Sequence, residues 1–323
     1  MRNASIVAVA LVLLGTVVVY AGRTQTFSLP SALMLFGDYN ELHLVTPDDA
    51  QTLHPSVDEG YNRAYFAYPT IARARTAGPL GSADQGVVAW GFATRWDEAR
   101  SRHKARFALG VYALSDQAWR TYGDFDDIGD TGISSDGTRV AFVAQARGRL
   151  TLQIFDVTTE TFSEGPYHRG MWPRGTPSWS PDLTRLAVQV RGPDESSDVA
   201  VLDLRTGELR SLGNGFHPQW SPDGKWIAFY SGRRCIVVHP DGTGSRIALS
   251  LRDGWFTHKQ FDWGSPVWSP DSTQLLLNVT KNGGPLLDVV LVDLATGKTV
   301  TKSKSGLPVF GWAPRSPGHP LGR

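Results

Sequence analysis

Short apolar runs closed by Pro, Asp and Gly turns recur along this chain, and three of them superpose without gaps. They are Pro177-Ser-Trp-Ser-Pro-Asp-Leu-Thr-Arg-Leu-Ala-Val188, Pro218-Gln-Trp-Ser-Pro-Asp-Gly-Lys-Trp-Ile-Ala-Phe229 and Pro266-Val-Trp-Ser-Pro-Asp-Ser-Thr-Gln-Leu-Leu-Leu277. Each reads as a hairpin: Pro-x-Trp-Ser is a short strand, Pro-Asp-Gly a turn, and Ile-Ala-Phe the returning strand. Proline presets φ, aspartate bonds the backbone two residues on, and glycine accepts φ > 0. Weaker copies run from Ile133 through Asp136 to Phe142 and from Gly81 through Asp84 to Trp90, and a sixth begins at Trp312-Ala-Pro-Arg315. The key positions 84, 136, 182, 223, 271 and 315 are spaced by 52, 46, 41, 48 and 44 residues. That period is expected of propeller blades, roughly 40–50 residues each.

A second hairpin half repeats as often: Val199-Ala-Val-Leu-Asp-Leu-Arg-Thr-Gly207, Val289-Val-Leu-Val-Asp-Leu-Ala-Thr-Gly297 and Leu152-Gln-Ile-Phe-Asp-Val-Thr-Thr-Glu160, with looser versions from Ile236 and Val111. Each unit is thus four short strands, which bury both faces only by stacking on neighbours. Leu33–Phe36 and Glu41–Val45 supply later strands of a blade, whereas Val309–Trp312 supplies only a first strand. The expected fold is an all-β, six-bladed β-propeller with four-stranded blades. Pairing of the C-terminal strand with the N-terminal strands closes it and removes exposed sheet edges.

The Trp-Ser-Pro-Asp-Gly frame resembles the TolB-type propeller repeat, which also occurs in the propellers of prolyl-oligopeptidase-like peptidases. The resemblance covers nearly all of the chain after residue 30. WD40 repeats fit less well, because the Gly-His and Trp-Asp dipeptides are missing from the frame. Departures at Gln85, Leu183, Ser272 and Arg315 affect turn chemistry alone. The resemblance implies protein partners, through the loop face or the channel mouth.

Composition narrows the environment. The chain has 32 basic and 31 acidic residues and a net charge of +1, so no global field draws it to nucleic acid or to an anionic membrane. Its single cysteine, Cys235, excludes an intramolecular disulfide and reads as a buried thiol. Met1-Arg2-Asn3 precedes an apolar, charge-free run from Ile6 to Val19, and Val19-Tyr20-Ala21 fits signal-peptidase cleavage. The stretch Ala4–Ala21 also has the length of a membrane span, roughly 17–25 residues. The reading is therefore residues 1–22 as signal peptide or anchor and 23–323 as an extracytoplasmic, monomeric propeller. It faces the periplasm or the exterior, and touches the membrane through its N-terminus if the leader is retained.

Candidate chemistry lies in the links. The residues entering each first strand are Gly78, Asp130, Thr176, His217 and Ser265, joined by His168, Arg169, Arg174 and His258. Such a mixture suits an anionic or sugar ligand, and His168, His217 and His258 suit a metal if they converge. Asp124, Asp126 and Asp130 form an acidic loop of the kind calcium favours, although the EF-hand frame fails at Ile128 and Ser135. Arg95, Arg100, Arg102, Lys104 and Arg106 make the 94–106 insertion a basic patch for an acidic partner or a phospholipid head group. No Gly-x-Ser-x-Gly elbow, phosphate-binding loop or zinc-protease helix is present. The leading expectation is a non-catalytic binding or scaffolding propeller serving envelope or secreted proteins. The alternatives are a metal-assisted channel-mouth enzyme acting on a carbohydrate or lactone, and a propeller that partners a separate peptidase.

Overall fold

The computed structural model describes residues 10–13, 16–19, 26–28, 34–36, 42–45, 50–53, 70–72, 87–95, 106–113, 118–168, 170–171, 175–191, 196–251, 255–256, 265–281 and 287–304. All regular elements among them are strands, and every pairing is antiparallel. Five successive sheets follow the repeat, each with its strands in chain order. Repeat sheet one holds Thr70–Ala72, Val87–Arg95, Arg106–Ala113 and Ala118–Phe125. Sheet two holds Asp127–Ile128 and Gly132–Ile133 side by side on Arg139–Ala146, then Arg149–Asp156 and Thr161–Gly165. Sheet three holds Ser178–Trp179, Arg185–Arg191, Ser197–Asp203 and Leu209–Asn214. Sheet four holds Phe216–Trp220, Ile227–Ser231, Arg234–Val238 and Arg246–Ser250. Sheet five places Trp255–Phe256 and Val267–Trp268 on Gln274–Lys281, followed by Leu287–Asp293 and Thr299–Lys304.

Alternation of side chains explains why these strands read as nearly unbroken apolar runs. Successive residues of a strand point to opposite faces, and both faces are covered. Ala141 and Val143 pack with Leu186, Val188 and Val190 of sheet three, whereas Val140, Phe142 and Ala144 pack with Leu109, Val111 and Phe125 of sheet one. Ala187, Val199 and Val201 likewise meet Trp220, Ile227 and Phe229 of sheet four. The core is therefore a series of layers between sheets. Trp179, Trp220 and Trp268 sit in these layers at 5–7% exposure, as packing groups. Cys235 is fully buried, and burial pushes its thiol far above the usual range, so it is a structural residue.

The repeat turn is one hydrogen-bonded device used four times. In sheet four Ser221 Oγ donates to Asp223 Oδ1 (2.6 Å) and accepts the Trp226 N–H (2.9 Å), while Asp223 accepts the Lys225 N–H (3.1 Å). Ser134–Asp136, Ser180–Asp182 and Ser269–Asp271 repeat this arrangement. The residue after the aspartate takes a left-handed conformation, at Gly224 (φ 76°) and also at Leu183 and Ser272 (both 61°). The departures noted at Leu183 and Ser272 thus keep the turn at the cost of backbone strain.

One difference from the sequence expectation concerns the N-terminal half. The first strand of sheet one is Thr70–Ala72, with Ile71 opposite Val88 and Ala72 opposite Val87, and the segment just before Asp84 lies outside the described residues. Near the N-terminus, Ala10–Leu13 pairs with Thr16–Val19, which pairs with Thr26–Ser28. No helix among the described residues is long and apolar enough to cross a membrane. Met34–Phe36, Leu42–Val45 and Ala50–Leu53 form a three-stranded sheet from the expected composite blade. Its expected closing strand, Val309–Trp312, lies outside the described residues.

Candidate functional site

First strands of consecutive sheets touch one another in order: Thr70–Ala72 meets Gly132–Ile133, which meets Ser178–Trp179, then Phe216–Trp220, then Val267–Trp268. Along this line four of the five strands are interrupted at the same level. Each is paired up to the position five residues after the repeat aspartate, at Ala141, Ala187, Ala228 and Leu276. Pairing then breaks and resumes at Ile128–Ala144, Met171–Val190, Phe216–Tyr230 and Phe256–Thr280. The sequence reason is a proline or glycine at each break, namely Gly129, Pro177, Pro218 and Pro266, residues that leave or bulge a ladder.

The residues pushed out at these breaks are Asp130, Thr176, His217 and Ser265, the positions expected from the repeat frame. Asp130, Thr176 and His217 are buried at 4–5% exposure, and Ser265 is half-buried. Their neighbours tie one sheet to the next. Thr131 Oγ1 donates to the Ala89 carbonyl of sheet one (2.8 Å), and the His217 N–H donates to Gln189 Oε1 of sheet three (3.4 Å). Ser178 Oγ accepts the Trp220 N–H (2.9 Å) and donates to Gln219 Oε1 (3.5 Å). His217 holds φ 55°, an uncommon conformation for a non-glycine residue of the kind that concentrates at functional sites.

The remaining expected residues are distributed as follows. His168 is half-buried and bonds the Gly207 carbonyl through Nε2 (2.6 Å). Arg169, Arg174 and His258 lie outside the described residues, as do Arg100, Arg102 and Lys104 of the basic insertion. Arg95 stands opposite Arg106 across the pair of strands that the insertion connects. Among the described residues no three His, Cys, Asp or Glu side chains converge as metal ligands. The structure does not bring Asp130 to Asp124 and Asp126, which instead share Arg106. Its Nε donates to Asp124 Oδ1 (2.6 Å), one Nη donates to Asp126 Oδ1, and the other donates to the Asp124 carbonyl (2.8 Å). The Gly148 N–H also donates to Asp126 Oδ2 (3.1 Å). Hydrogen bonding to Asp124 holds the Arg106 guanidinium above its ordinary pKa. The last residue of the basic patch is thus the counter-ion of the acidic loop, a pairing across 18–20 residues that spacing alone does not reveal. Sequence reasoning also missed Gln189 and Thr131, whose roles depend on contact between sheets.

No protein-family model matches the chain. Over 168 residues, half of the chain, it is 29% identical to the protein TolB homolog of Chlorobium luteolum. The solved TolB of Acinetobacter baumannii superposes with a TM-score of 0.60 at 16% identity, over 88% of this chain and 66% of that one. The fold is a TolB-type β-propeller. A third relative, the uncharacterized peptidase YuxL of Bacillus subtilis, is 30% identical over 125 residues, 35% of the chain. The propeller spans only 36% of the Chlorobium protein and 18% of the Bacillus protein.

Proposed function

We propose that this chain is an extracytoplasmic binding and scaffolding propeller of the cell envelope, six-bladed once Val309–Trp312 completes the Met34–Leu53 sheet. Its contact site is the line of interrupted first strands. One observation carries this reading: the repeating polar residues are consumed by turns, while the non-repeating Asp130, Thr176 and His217 collect where the first strands meet. Likeness to TolB proteins and the Met1–Ala21 leader support an envelope location. A photo-crosslinking residue at Ser265, compared with one at the exposed outer-strand Thr301, tests the site in fractionated cells. Adducts to one envelope protein from position 265 and none from 301 are expected. Adducts from neither, or a cytoplasmic protein, would sink the proposal.

A second reading rests on the YuxL similarity, in which the propeller serves a separate peptidase chain. The same crosslink separates the two, because the captured partner would then be a serine hydrolase that reacts with a fluorophosphonate probe.

A further inference from the structure

Between repeat sheets two and three lies a cavity of about 480 Å³, away from the interrupted first strands. Its apolar lining is Ile154, Leu183 and Leu204, Arg139 and Arg205 reach it from the two sheets, and Asp156 is the one carboxylate in the lining, so the cations are in excess. Arg139 occupies the frame position three residues after the repeat aspartate. Elsewhere the cations of this turn are committed. Arg185 approaches Asp182 (3.7 Å) and lies over the Trp220 ring (5.0 Å), and Lys225 approaches Asp223 (3.6 Å). In sheet four the equivalent residue, Trp226, is stacked by His239 and Arg246. Among the described residues, the guanidiniums of Arg139 and Arg205 make no hydrogen bond or ion pair. Arg139 acts on Asp156 only through space, and the Asp156 carboxylate already accepts the Thr158 and Thr159 N–H groups (2.9 Å each).

The cavity hydroxyls are each engaged in a hydrogen bond, and either hydroxyl can donate in the Thr159–Thr161 pair. Thr159 and Thr161 hydrogen-bond each other (2.8 Å), Thr184 donates to Asp182 (2.9 Å) and Ser163 donates to the Ile154 carbonyl (3.4 Å). The charged donors left over are guanidinium N–H groups, whose planar fork matches a carboxylate. We infer that this groove binds an acidic peptide segment, with a carboxylate held between Arg139 and Arg205 and an adjacent aliphatic side chain on Leu183 and Leu204. A neutral polyol lacks the charge these groups ask for, and a bare anion leaves the apolar lining uncovered. The volume suits about two to four residues.

The test is a peptide-display selection on the full-length protein, followed by fluorescence polarisation with the enriched peptides. Winners carrying Asp, Glu or a free C-terminus beside Leu, Ile or Val are expected. Arg139→Gln or Arg205→Gln should weaken them about tenfold, as should amidation or Asp→Asn in the peptide, since one charge-assisted hydrogen bond is lost. Arg149→Gln, on the same sheet but outside the cavity, should leave binding unchanged. Lysine variants at 139 and 205 cover the case of a misfolded glutamine variant, because they keep charge while losing the fork. Absence of acidic winners, equal binding by the variants, or equipotent competition by inorganic phosphate would overturn the inference. The Ser265 crosslink reads the first-strand site without involving the cavity, so failure here is distinguishable from failure of that site.

Discussion

The indole N–H of Trp179 donates to the backbone carbonyl of Gly132 at 2.9 Å, joining sheet three to sheet two inside the buried layer. Trp268 makes the equivalent bond to Gln219 (2.9 Å), whereas Trp220 turns its N–H to Gly224 within its own sheet (3.1 Å). Trp179→Phe should therefore cost about 1.5 kcal/mol beyond lost packing, because a buried hydrogen bond between two sheets is lost while Gly132 keeps Ala141 as its ladder partner. Trp220→Phe should cost less, about 0.5–1.5 kcal/mol. Urea-denaturation midpoints of the two variants measure the difference.

The same glycine sets how closely two first strands approach. A Cβ on Gly132 would stand 1.8 Å from the Pro177 carbonyl oxygen, and neither backbone can yield alone. Gly132→Ala is expected to cost about 3 kcal/mol or more, or to prevent folding. Gly148→Ala is the control: φ is 76° but the space is open, so only a conformational cost of about 1–2 kcal/mol is expected. Melting temperatures of both variants rank the effects.

Acid should destabilise the protein through its turns. Burial opposes the charge of Asp136, Asp182 and Asp223, but bonds from Ser134, Ser180 and Ser221 and from the following residues outweigh it and hold these carboxyls below their ordinary pKa. Asp271 is lowered chiefly by Ser269, Asp156 by the Thr159 N–H and Asp293 by Thr296. A lowered folded-state pKa gives stability that is complete above the unfolded value of about 3.9 and is lost as pH falls through the folded value. Melting temperature should be flat between about pH 5 and 7 and fall below about pH 4. Asp271→Asn should melt lower at neutral pH and show a shallower acid limb.

Arg106→Gln should free Asp124 and Asp126 from their shared cation. The expected outcome is a loss of stability at neutral pH that high salt reduces, with a larger thermal shift on adding calcium than the unchanged protein shows. Equal calcium shifts in both proteins would mean that the arginine does not compete for the acidic loop.

Legibility in the sequence followed locality. Trp-Ser-Pro-Asp turns and the second hairpins are specified within a dozen residues, so strands such as Arg185–Arg191 and Ser197–Asp203 were readable directly. Asp130, Thr176 and His217 were readable as positions, because the frame counts back from each repeat proline, but their burial depends on how first strands converge. Arg106 was read as part of a free basic patch because its partners arrive from a separate strand connection. The cavity at Leu183 and Arg205 left no mark in sequence at all. Its lining comes from two sheets, with Arg139 and Ile154 on one side and Leu183 and Arg205 on the other, so no single stretch of sequence announces it.

A first strand has one neighbour in its own sheet, so an added residue there disturbs a single ladder and leaves the layers between sheets in register. Sheets two and four each accommodate one extra residue at the break, and sheets three and five accommodate longer ones. Length at these four breaks can thus change while the ladders and the layers between sheets around it stay as they are.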